Sequence, residues 1–282
     1  IIQGGIQMLG KLIKHEIKMT SRTFLPIYAL ALLLAPIERI SVHALNTGIV
    51  KELESPWKTV AATVFFFISL AYALSMMAAG FASLFLIINR FYKSMTTNEG
   101  YLTHTLPVKT SELIWSKAIT AIFWTIISFI VIAIAALILT FNAEGWKELF
   151  PMLMEMYSDF MNTYSATINV PLVILEVLLA ALINGLFFIF TIYASIAIGQ
   201  LFSKHKVAWA IVAYFLIDVA IQLITGITAI PVAESISIGG VTDLINFATN
   251  QFIPYSLVFT AILTAVFYFV SWYIFKNKLN LE

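Results

Sequence analysis

The stretch Thr59 to Asn89, TVAATVFFFISLAYALSMMAAGFASLFLIIN, runs 31 residues without a charge and is followed at once by the polar segment Arg90 to Lys117, RFYKSMTTNEGYLTHTLPVKTSELIWSK. At ~1.5 Å per residue, an uncharged helix of that length outreaches the ~30 Å hydrocarbon core of a bilayer. It therefore tilts, or it carries the polar island clear of the membrane. Working outward, further uncharged runs fall at Phe24 to Ile37, Ala118 to Phe141, Pro171 to Phe202, Val207 to Ile230 and Pro254 to Phe275, which makes six spans in all. The first run is short, holds Pro26 and Pro36, and is expected either to stop at Ile37 or to continue through Glu38 and Arg39 toward Leu45.

Composition agrees with the spans. Of the 282 residues 61% are hydrophobic and 11% charged, far from the roughly half-apolar, quarter-charged norm of soluble domains. An all-α membrane protein of this length is expected to leave no room for a separate soluble catalytic domain of ordinary size. A net charge of +1 without a basic patch argues against nucleic-acid binding. The absence of cysteine excludes disulfides, thiolate metal sites and cysteine nucleophiles. No signal-peptide pattern is apparent, Met8 reads as the natural start, and residues 1–7 read as an expression scar or upstream read-through.

The N-terminal segment (Lys11, Lys14, Lys18, Arg22), the island (Arg90, Lys93, Lys109, Lys117), the turn Lys204 and Lys206, and the tail Lys276 and Lys278 hold 12 of the 16 basic residues. The alternate connections hold Arg39, Lys51, Lys58 and Lys147. Positive residues favour the cytoplasm, so both termini and the island are expected inside. Nine of the 15 acids lie in the three outer connections, which agrees but weighs little. Small residues at Ala71, Ser75, Ala79 and Ser83, and the pairs Ala181 with Gly185 and Ser195 with Gly199, mark where helices approach closely, within the chain or at a subunit interface.

Leu9, Leu12, Ile13 and Ile17 share one helical face and the four N-terminal cations another, so residues 8–22 are expected as an amphipathic helix along the inner leaflet, with residues 23–282 as the six-span domain. Within the island, Thr96, Thr97 and Glu99 followed by Pro107, then Thr110, Ser111 and Glu112, predict two short helices joined by a bend. Phe91, Tyr92, Tyr101 and Leu102 are its candidate anchors for a partner; aromatics resting at the headgroup level are the alternative.

These features together, with EGYLTHTLPV as the specific motif, resemble the permease subunits of ABC-2-type exporters of Firmicutes, those of bacteriocins, peptide toxins and drugs. The resemblance covers the chain from Met8 onward. It implies that the N-terminal helix, with Lys11, Lys14 and Lys18, is an interface helix, and that Phe91 to Leu106 holds a coupling helix between the second and third spans seated in a separate ATPase. Phe91, Tyr92, Glu99, Tyr101 and Leu102 would make that contact, and altering Glu99, Tyr101 and Leu102 should uncouple ATP hydrolysis from transport. It further implies two ATPase copies binding ATP and Mg, a second permease, identical or not, and an amphipathic peptide or hydrophobic cargo. The expected place is the bacterial plasma membrane.

The chain has no GxxxxGK[ST] loop to cradle phosphates, no HExxH (His15 and Glu16 lack a second histidine) and no GxSxG elbow. It is therefore expected to be no enzyme, to hold no cofactor of its own and no metal, and to draw on a partner for energy. Glu176 and Asp218 are the acids placed deepest in the spans, with Gln222 on the face of Asp218 and Asn184 as a further pathway candidate. A proton-coupled carrier built on Asp218 is one competing reading, and a membrane sensor or immunity protein another. Residues 144–164 predict an outer amphipathic helix, with Met152, Met156 and Phe160 either touching cargo or simply buried in the interface. The segment 231–253 is long, apolar and free of Lys and Arg, and the resemblance implies a re-entrant outer segment there, with Gly239 and Gly240 supplying its turn.

Overall fold

The computed structural model describes residues 2–46, 54, 56–97, 99–100, 105, 107–140, 143–164, 169–236 and 247–278. Among them the chain is all helical: α1 Ile2–Asn46, α2 Trp57–Thr96, α3 Thr110–Thr140, α4 Ala143–Tyr164, α5 Val170–Gly199, α6 Lys206–Ile236, a π-helical turn Ala248–Phe252, and α7 Ile253–Asn277. Six helices are long and apolar enough to cross a membrane, α4 being the exception. In lipid this is the expected outcome, because a helix satisfies its backbone groups internally. Exposed apolar side chains such as Leu33, Ile40, Phe66, Phe85, Phe129 and Leu216 stud the spans, a surface suited to acyl chains and not to water.

Two expectations about the first and second spans are corrected. The basic N-terminal segment is not a separate helix, since α1 runs unbroken through Pro26 and Pro36, whose rings are exposed. The side chains of Lys11, Lys14, Lys18 and Arg22 are exposed while Leu9, Leu12, Ile13 and Ile17 are half-buried, and Ile17 packs on protein. The start of the island is likewise the end of α2, which continues as a helix to Thr96; Thr96 and Thr97 each return a hydroxyl hydrogen bond to the carbonyl four residues back. The restart at Thr110 follows the sequence reading, with the Glu112 carboxylate accepting from the Lys109 backbone N–H at 3.3 Å.

The chain divides into two compact units, residues 1–90 with 119–154, and residues 91–118 with 155–282. In the first, Phe24, Tyr28, Ala31, Ala79, Trp124 and Val131 form the core. Phe24 stacks on Trp124 at 4.4 Å, the Trp124 indole donates to Thr20 at 2.7 Å, and Tyr28 and Ser128 share a hydrogen bond of 2.6 Å. Small residues at Ala31, Ala35 and Ala79, almost wholly buried, permit this closeness. In the second unit α5 packs on α7 and α6, and its residues 189–197 are buried continuously.

Candidate functional site

Residues 90–92 of α2 take part in the packing of both units. In the first unit the Arg90 guanidinium donates from Nε to the Glu16 carboxylate at 3.0 Å, and Glu16 is buried. This places the start of α1 and the apolar-to-polar transition of α2 at one end of that unit. In the second unit the Phe91 ring stacks on Tyr193 at 3.5 Å between centroids and meets Phe275 edge-on at 5.6 Å, next to Lys276. Tyr92 shares a cavity with the turn that carries Lys206.

The flanks of the island are clamped. Phe91, Ser94 and Met95 on one side and Leu113, Ile114, Ser116, Lys117 and Ala118 on the other are buried. Trp115 meets Phe190 and Tyr268 at 5.3 and 5.6 Å, and Ser111 shares a hydrogen bond with Tyr268 at 2.7 Å. Gly100 folds back against Met95, where an added Cβ would sit 2.7 Å from a backbone carbon. Only glycine fits that approach without a backbone shift.

Phe91 is therefore corrected from a partner-facing anchor to an internal one, because at 1% exposure no partner can reach it. Lys117, counted with the solvated cations, is buried as well. Tyr92 is half-buried and Glu99 exposed, while Tyr101 and Leu102 lie outside the described residues.

The Asp218 carboxylate accepts from the Gln222 side chain at 2.6 Å, the i, i+4 pairing read from the sequence; Asp218 is half-buried and Gln222 exposed. Asn184, also exposed, donates to the Ala180 carbonyl of its own helix at 2.8 Å. Glu176 is half-buried, with one carboxylate oxygen shut from solvent and lacking a hydrogen-bond partner. Met152, Met156 and Phe160 are exposed on α4. Among the described residues no group of three His, Asp or Glu could hold a metal. The expected re-entrant segment lies outside the described residues at 237–246, residues 231–236 being a continuation of α6 and 248–252 the π turn.

Glu38 is not among the candidate residues read from the sequence, which placed it either just past a short first span or inside a longer one. It is buried at 6% exposure, with one carboxylate oxygen accepting from Ser69 at 2.8 Å and the other without a partner. The signal was present: Phe24, Tyr28, Ala31, Ala35, Glu38 and Ser41 continue one three-and-four-spaced stripe, all of it buried. Removing the Ser69 hydroxyl with Ser69→Ala strands the carboxylate and is expected to cost ~1–3 kcal/mol. Glu38→Leu should cost less or even stabilise, since an apolar residue of similar volume needs no partner. Thermal unfolding in detergent of the single and double variants checks this: Ser69→Ala should cost nothing further once Glu38 is Leu, and additive losses would show that the two side chains do not depend on each other.

No protein-family model, curated protein or solved structure matches this chain.

Proposed function

We propose that this chain is the permease subunit of an ATP-driven exporter in a bacterial plasma membrane, with both termini and the island on the cytoplasmic side. Two permeases would pair with two separate ATPase subunits, and ATP-driven approach of the ATPases would push on the island and the start of α1. The spans would then rock and alternate a pathway for amphipathic peptides or hydrophobic compounds. One observation carries this reading: α1 and α2 pass unbroken from their apolar segments into the basic segments and are tied there by Glu16 and Arg90. A push delivered at that end reaches the spans through continuous helix and not through a slack loop. The clamped flanks of the island and the resemblance carried by EGYLTHTLPV support the same reading.

The test isolates the tagged chain from its native membranes and exposes the preparation to azido-ATP. A co-purifying polypeptide should take the label while this chain does not, and vesicles holding the complex should couple ATP hydrolysis to cargo movement. A stable, monodisperse preparation with no labelled partner would overturn the reading. The Asp218–Gln222 pair favours a proton-coupled carrier as the second reading. That reading requires transport without nucleotide, abolished by an uncoupler.

A further inference from the structure

The connection between α5 and α6 builds a cleft that the exporter reading does not use. It measures about 670 Å³, and its polar wall comprises Tyr92, Ser203, His205 and Lys206 while its apolar wall includes Val207 and Ile211. Among the described residues that line it none is acidic. The connection is held in one shape. At Gly199 the two helices meet backbone to backbone, so that an added Cβ would lie 2.6 Å from the Lys206 carbonyl oxygen and 2.7 Å from the Ala210 nitrogen. His205 takes a left-handed backbone with φ 56°, a conformation histidine tolerates better than most residues, and its carbonyl accepts from the Trp209 N–H at 3.1 Å.

Two further features border the cleft. Phe202 and Trp209 stack at 4.2 Å and both remain exposed, an aromatic pair of the kind that settles at the headgroup level of a bilayer. Below the polar wall, Val207, Ile211 and Phe215 repeat every four residues along α6, each more than half exposed. An apolar track thus leads away from a cationic, hydroxyl-rich pocket. A free phosphate would use only the pocket, whereas a molecule with an anionic head and an acyl chain uses both.

We propose that this cleft binds an anionic glycerophospholipid, its phosphate held by Lys206 and His205 with the Ser203 and Tyr92 hydroxyls donating, and one acyl chain lying along Val207, Ile211 and Phe215. The proposal rests on the chain being a membrane protein and not on the exporter reading. Bound lipid would brace the α5–α6 connection against the end of α2.

Native mass spectrometry of the detergent-purified chain tests it, with phosphatidylglycerol, phosphatidylcholine and glycerol 1-phosphate as probes. Wild type should retain phosphatidylglycerol over phosphatidylcholine, and Lys206→Gln should lower that retention about fivefold, the scale of one basic residue at an anionic surface. Lys206→Arg should keep it, and Lys147→Gln, an exposed cation on α4, should leave it unchanged. Equal retention of both lipids, or an unchanged Lys206→Gln variant, overturns the proposal. Competition by glycerol 1-phosphate as effective as that by the lipid overturns it in favour of a free-anion site. Should Lys206→Gln fail to fold, fluorescence decides: phosphatidylglycerol with brominated chains should quench wild type more than Trp209→Phe, and brominated phosphatidylcholine should not. Equal quenching of the two proteins by the anionic lipid overturns the proposal.

Discussion

Phe91→Ala should destabilise the second unit by ~3–5 kcal/mol, the range for truncating a well-packed aromatic. Phe91 keeps 1% of its surface exposed, lies flat on Tyr193 and meets Phe275 edge-on. Tyr193 in turn contacts Phe190, which packs against Trp115 and Tyr268, so one ring at the end of α2 closes an aromatic cluster drawn from α3, α5 and α7. The reference state favours a large effect. Inside a bilayer an apolar side chain released from protein finds lipid tails no less apolar than its partners, and the loss is packing alone. Phe91 lies past the uncharged run, next to Arg90, where release exposes it to water and the transfer term returns. Phe91→Leu should recover part of the loss. The midpoint of thermal unfolding, followed by circular dichroism in detergent, is the measurement; a cost below ~1 kcal/mol, as for an ordinary exposed position, would contradict the packing described.

Arg90→Ala is expected to destabilise the first unit by about 3 kcal/mol, the lower end of the ~3–5 kcal/mol found when one partner of a buried ion pair is removed. The low end applies because the Arg90 side chain keeps 24% of its surface exposed, against 10% for Glu16, and water can relieve part of the stranded charge. The loss falls mainly on Glu16, which is left as a buried carboxylate at the base of α1. Arg90→Ala with Glu16→Leu should therefore be more stable than Arg90→Ala alone, and the charge swap Glu16→Arg with Arg90→Glu should restore part of the coupling. If the double variant is no better than the single one, the pair is not what joins the two helices. Both readouts are of folding, so they hold whichever function the chain has.

The spans were legible because hydrophobic length and charge are one-dimensional properties: six uncharged runs became six helices of spanning length. The start of α3 could be read for a similarly local reason, since Glu112 reaches back only three residues to the Lys109 N–H. The sequence left open whether the first span stops at Ile37 or continues toward Leu45, and α1 runs unbroken to Asn46. In water a proline ends most helices, but in lipid there is no solvent to receive the freed carbonyls, so a continuous helix remains the better arrangement. Glu38 lies inside that helix because Ser69 supplies its carboxylate with a hydrogen bond from another helix.

By itself the sequence determined the all-helical membrane class, the number of spans and the placing of most basic residues in four segments, because each follows from composition summed along the chain. Only the tertiary structure decided which residues of those segments face inward. Phe91 and Lys117 belong by sequence to a solvated island, yet both are buried. Glu16 and Arg90 stand 74 positions apart and become an ion pair only when α1 lies beside α2. The reason is that a bilayer rewards apolar surface without regard to its neighbour. Selection among neighbours rests on shape and on hydrogen-bond partners far apart in sequence, and those exist only once the helices have packed.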